Sequence, residues 1–134
     1  MTLGARAKRH LSQTRSPVVL RSELRKLGYS SSSLSAALRT LIDQGVLVRI
    51  GTGIYAKAKP SVLSGRPIPV EPLEVLAPIA LRKLGVKVQP ARRYRDYNAG
   101  RTTQVPVGVV VNVGRQRVTR KIGFNGKFVE YERD

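Results

Sequence analysis

The sequence predicts an α+β chain: an N-terminal winged helix-turn-helix, then a small α+β domain with a C-terminal antiparallel sheet. Three observations carry this. Leucines recur at helical spacing up to Gly45, with Gly28 and Gly45 closing the second and third runs. Two β-prone segments flank Gly51-Thr52-Gly53 directly after the longest such run. A second alternation of helix-like and strand-like segments begins beyond a proline-rich stretch at 60–70.

The elements follow in order. Residues 3–14 set Leu3, Ala7 and Leu11 on one helical face, with Arg6, Lys8 and Arg9 turned away. Ser16-Pro17 ends that helix, because proline lacks the N–H that would continue it. Val18 to Leu20 is a short apolar run. Residues 21–27 form a second helix with Leu20, Leu24 and Leu27 inward, closed by Gly28. The serines Ser30 to Ser33 then offer hydroxyls to the unpaired amides of a new first turn. The helix they start, 31–44, aligns Leu34, Leu38, Leu41 and Ile42 and leaves Ser32, Ser35, Ala36 and Arg39 opposite. Residues 46–50 and 54–57 make a hairpin.

The predicted domain boundaries are 1–59, a linker at 60–70, and 71–134. In the second part, residues 72–84 are helical in period, with Pro78 predicting a kink or a late start. Residues 86–89 read as a short strand and 91–99 as a basic helix. Strands are expected at 107–113, 117–124 and 127–132, the last two joined by Asn125-Gly126, since a two-residue turn needs positive φ at both positions.

Charge points to the partner. The 134 residues carry 25 Lys and Arg against 8 Asp and Glu, a net +17, and 17 of the cations are arginine. Such a balance opposes compaction unless an anion is bound. Arginine's planar fork matches phosphate and guanine edges in two bonds at once. The excess is split: residues 1–59 hold +9 and residues 60–134 hold +8. With no cysteine and one histidine, His10, set among cations, no metal site or cofactor is expected. The carboxylates form no acid/base pair, so an enzyme is not expected. No apolar run reaches membrane-spanning length and the basic N-terminus lacks a signal's apolar segment, so a cytoplasmic location is expected.

Helix, helix, glycine turn, serine-capped helix and hairpin is the order of a winged helix-turn-helix. Its third helix enters a major groove about 12 Å wide. The candidate DNA-binding residues are Arg21, Ser30, Ser31, Ser32, Ser35 and Arg39 on the helices, and Arg49, Thr52 and Lys57 on the wing. A second candidate contact is Arg92, Arg93, Arg95 and Arg101. Tyr94 and Tyr97 alone interleave with arginine, too few for a single-strand stacking platform.

The stretch VVLRSELRKLGYSSSSLSAALRTLIDQGVLVRIGTGIYAKAKPS resembles the N-terminal domain of AbiEi-type antitoxins of type IV toxin–antitoxin systems. Leu38, Leu41, Gly45, Val46, Leu47, Arg49, Ile50, Gly53 and Tyr55 fill that family's pattern. In the second half Gln89-Pro90, Asn98 and Thr103-Gln104-Val105-Pro106 are similar, while Arg92 and Arg93 stand where small residues are usual. The resemblance implies a regulator that represses its own operon at repeated operator sites in double-stranded DNA. It also implies a nucleotidyltransferase toxin as possible partner, which leaves a second expectation: an interaction protein that neutralises that toxin, with DNA binding secondary. Monomer and dimer stay open.

Overall fold

The computed structural model describes residues 3–92, 100 and 109–134, with side chains from Ala5 onward. The protein is a mixed α+β chain with several antiparallel sheets. It divides into two units, Met1–Pro72 and Leu73–Asp134.

The first unit opens with helix α1 (Leu3–Gln13), then strand β1 (Val18–Leu20), helix α2 (Arg21–Arg25) and helix α3 (Ser31–Asp43). Ala7 and Leu11 of α1 are buried as their spacing predicts; the side chain of Leu3 lies outside the described set. Leu34, Leu38 and Leu41 of α3 pack with them, with Leu24 of α2 and with Leu47 and Tyr55 beyond. Each fully buried leucine contributes about 2–3 kcal/mol of transfer free energy. Leu27 is the exception to the expected stripe: α2 stops at Arg25, and Leu27 is left 38% exposed in the turn.

The end of α3 shows why a glycine stands there. The Val46 amide donates to Leu41 O at 2.9 Å and the Gly45 amide to Ile42 O at 3.0 Å. That double closure needs a left-handed residue, and Gly45 has φ +73°. Its missing side chain also leaves room for Pro67, whose Cγ would lie 3.3 Å from an added Cβ.

Strands β2 (Leu47–Gly51) and β3 (Ile54–Pro60) follow, with β3 between β1 and β2 in an antiparallel sheet. The 60–70 segment differs from its expectation as a linker. It carries strand β4 (Pro67–Pro69), which pairs with the far half of β3, Ala58 opposite Pro69. Proline is tolerated there because the strand pairs on one side only. The first unit therefore extends to Pro72.

The second unit begins with helix α4 (Leu73–Lys83), which runs through Pro78 without a late start. Leu76, Ala77, Ala80 and Leu81 are its buried face. A sheet follows in the order β5 (Gln89–Pro90), β6 (Val110–Asn112), β9 (Glu130–Glu132). The expected C-terminal antiparallel sheet is corrected here: β6 and β9 run parallel, Val111 opposite Tyr131. The residues between them make this possible, since a parallel return needs a crossover and not a tight turn. Within that crossover β7 (Gly123–Phe124) and β8 (Lys127–Phe128) form their own hairpin. Asn125 and Gly126 take φ of 56° and 84°, as the turn requires. Residues 117–122, expected as strand, carry none, though Ile122 is fully buried. The basic helix expected at 91–99 falls almost wholly outside the described residues, as does the 103–106 segment.

Candidate nucleic-acid interface

The site is built on the start of α3. Ser30 accepts from the Ser33 amide at 3.2 Å, which satisfies a first-turn donor and fixes where the helix begins. From that start the helical period sets Ser32, Ser35, Ala36 and Arg39 outward, and all four are exposed while the leucines behind them are buried.

Arg21, the first residue of α2, crosses to this face. Its Nη2 donates to Ser31 O at 2.9 Å, to Ser31 Oγ at 3.2 Å and to Ser35 Oγ at 2.9 Å. Its backbone amide donates to Gly53 O at 2.9 Å. One residue thus ties together the start of α2, the first turn of α3 and the turn between β2 and β3. Ser35 in turn donates to Ser31 O at 3.0 Å. The hydroxyls of Ser30, Ser31 and Ser35 are therefore held by partners within the protein. Ser32 and Arg39 extend from the face without a side-chain partner among the described residues. A guanidinium and a hydroxyl seven residues apart on one helix face can address base edges or phosphate oxygens across about two turns.

On the hairpin, Arg49 points away from the core between buried Val48 and Ile50, and its Nε donates to Gly51 O at 3.2 Å. The register shifts between Arg49 and Gly51, a bulge that bends the strand toward its tip. Thr52 is exposed at that tip. Lys57 is not part of this surface. It lies opposite Leu47 at the base of the hairpin, half-buried, and its Nζ donates to Thr14 O at the end of α1. Its charge serves the helix terminus, where a cation meets unpaired carbonyls.

In the second unit Arg92 is also held internally. Its Nε lies 3.1 Å from Glu132 Oε1, and its amide donates to the same oxygen at 2.8 Å. Asn112, fully buried, completes the arrangement. Its Nδ2 donates to Glu132 Oε1 at 2.7 Å and Asp134 Oδ1 at 3.0 Å, while its Oδ1 accepts from the Gly114 amide at 2.7 Å and Gln89 Nε2 at 3.2 Å. Every hydrogen-bonding position of that side chain is filled. Burial pushes the Glu132 carboxyl up, but the Arg92 amide, Asn112 and the Arg92 guanidinium outweigh it and hold the group below its ordinary value. Arg93, Arg95 and Arg101 lie outside the described residues.

Residues 7–130 match the family described as a family of unknown function, DUF6088. The chain belongs to the DUF6088 family. The match runs from Ala7 in α1 to Glu130 in β9 and so takes in both units. No curated protein and no solved structure matches this DUF6088 member. No helix among its described residues is long and apolar enough to cross a membrane.

The role of Arg21 in this DUF6088 chain goes beyond its expected one. It is a brace for the serine face as well as a cation on it, and the partners that make it so lie 10 and 14 residues away. The basic face of α1 was not among the expected site residues. Its signal was Arg6, Arg9 and Gln13 at helical spacing, beside the one histidine.

Proposed function

We propose that this protein is a double-stranded DNA-binding transcription regulator that reads its site with α3. The observation that carries the reading is the outward face of α3, where Ser32 and Arg39 stand without a side-chain partner among the described residues above a buried leucine stripe and Arg21 braces the first turn. The order α1, β1, α2, α3, β2, β3, with β3 between β1 and β2, supports a winged helix-turn-helix as its frame. A helix with side chains is about 10–12 Å across, which suits the major groove of B-DNA and not the deep, narrow one of A-form RNA.

The charge supplies affinity and the helix supplies preference. The net +17 acts on phosphates in any sequence. Arg39, the one arginine on α3, is the residue able to take a guanine edge in two bonds, a contact with about 1–3 kcal/mol of discrimination. Tyr29 and Tyr55 are buried in the core and so are withheld from base stacking. The finer reading is an autorepressing antitoxin of a toxin–antitoxin operon. It rests on the resemblance of the α3–hairpin segment and of Gln89-Pro90 and 103–106 to AbiEi-type antitoxins.

The test is a competition gel shift with the full chain. A labelled fragment from immediately upstream of its gene is challenged by mixed-sequence duplex. The wild type prefers the upstream fragment, and Arg39→Ala loses most of that preference while still binding both. Equal affinity of the wild type for every fragment would end the sequence-specific reading.

A further inference from the structure

We propose that the cleft between α1 and the α2–α3 turn is a second phosphate-binding site, which takes two adjacent backbone phosphodiesters of the duplex that α3 enters, one for each of Arg6 and Arg9; this rests on the DNA-binding reading above.

The cleft encloses about 390 Å³ and is lined by Arg6, Arg9, His10, Gln13, Leu27 and Tyr29. Four of these six carry N–H donors, and none is acidic. Arg6, Arg9 and Gln13 fall at i, i+3 and i+7 on α1, so one face of the helix presents them together. The Arg6 guanidinium lies over the Tyr29 ring, 5.5 Å from its centroid. That contact holds the guanidinium at the cleft through the ring face and uses none of its N–H groups. Among the described residues neither Arg6 nor Arg9 pairs with a carboxylate. The first unit holds only Glu23, Asp43 and Glu71 as acids, and Glu23 Oε1 already accepts from the Leu20 amide at 2.9 Å. Two guanidiniums beside an open cleft with no counter-charge from their own unit suit an external anion.

The position selects the anion. Tyr29 immediately precedes Ser30, the cap of α3, so the cleft opens at the end of the helix assigned to the groove. A helix in a major groove has a phosphate strand along each side. Cations beside its first turn face one of those strands. Leu27, partly exposed on the cleft wall, offers an apolar surface for the sugar between phosphates. A free phosphate or nucleotide shares the same chemistry, and an acidic peptide is the competing kind of partner.

The experiment measures anisotropy of a labelled 30-bp mixed-sequence duplex with the full chain from about 50 to 200 mM salt. Each phosphate contact adds about 0.9 to the magnitude of the log–log salt slope, so Arg6→Gln/Arg9→Gln lowers it by about 1.8 and Arg9→Gln alone by about 0.9. Among the described residues Arg9 has no side-chain partner to lose, so the single variant keeps its thermal unfolding midpoint and separates the effect from misfolding. Preference for the upstream fragment is kept in both variants, the reverse of Arg39→Ala. An unchanged slope in Arg9→Gln, with the wild type still binding duplex, overturns the proposal and leaves the α3 reading standing. An unchanged slope together with a rise of the unfolding midpoint by inorganic phosphate at constant ionic strength that Arg9→Gln abolishes assigns the cleft to a free anion and also overturns it. Binding of a polyglutamate-tailed peptide that depends on Arg9, with the duplex slope unchanged in Arg9→Gln, does the same in favour of an acidic partner. A wild type that binds no duplex removes the α3 reading and this proposal together.

Discussion

Replacing Arg21 by alanine separates the two roles that the structure gives it. All three of its side-chain bonds leave from one nitrogen, Nη2, to Ser31 O, Ser31 Oγ and Ser35 Oγ at 2.9, 3.2 and 2.9 Å. A single NH2 group has two hydrogens, so two of these are full bonds and the longest is shared. At an exposed site each full bond contributes about 0.5–1 kcal/mol, which makes the expected loss about 1–2 kcal/mol. For a unit of this size that is a fall of about 4–16 °C in the unfolding midpoint. Nη1 and Nε have no partner among the described residues and can still meet a phosphate, so the duplex salt slope falls by about 0.9 as well. Arg21→Lys keeps the charge but loses the fork, and should recover the slope more fully than the stability. The assays are thermal unfolding by circular dichroism, amide exchange over residues 31–35, and duplex binding against salt. Unchanged stability with unchanged exchange in the first turn of α3 would refute the bracing argument.

Three further outcomes follow from named contacts. Ser30→Ala removes the cap that accepts from the Ser33 amide and should cost about 1 kcal/mol in denaturant unfolding, with faster exchange confined to the start of α3. Lys57→Met should lower the unfolding midpoint through its lost bond to Thr14 O and leave the duplex salt slope unaltered; a slope change without a stability change would put Lys57 back on the binding surface. Glu132 has a folded-state pKa below its ordinary 4.5, so its contacts add stability above that pH and the increment is lost as pH falls through the lowered value. Stability of the wild type should therefore drop between about pH 6 and pH 3 more steeply than that of Glu132→Gln, measured by urea unfolding; parallel curves would show that the carboxylate network is not the cause.

The first unit was largely legible because its signals are local. Leu34, Leu38 and Leu41 repeat at the helical period, Ser30 precedes them as a cap, and Gly45 closes them with a backbone that only glycine adopts without strain. The Asn125-Gly126 turn was legible for the same reason. What the sequence hid was pairing at a distance. Pro67 to Pro69 has the composition of a linker, and only the neighbouring β3 makes it a strand. Strand propensity at 130–132 does not say whether the partner runs parallel, and here it is Val110 to Asn112 in the parallel sense. The same holds at the site. Lys57 is a wing cation in sequence, but its partner Thr14 lies 43 positions back. Arg92 belongs to a basic cluster in sequence, but Glu132, 40 positions on, holds its guanidinium. Charges could be counted from the sequence; which ones are already paired could not.

The most direct test of the central claim is a cross-linking scan. Ala36 lies on the outward face of α3 between Ser35 and Arg39 and is exposed. A benzophenone amino acid placed there in the full chain should cross-link to duplex DNA from upstream of the gene on irradiation, with mixed-sequence competitor suppressing the adduct only weakly. The same probe at Leu63, exposed in the turn between β3 and β4 at the opposite end of β3 from Thr52, should give little or none. Adducts from Leu63 but not from Ala36, or from neither while the chain still binds duplex, would contradict α3 as the reading helix.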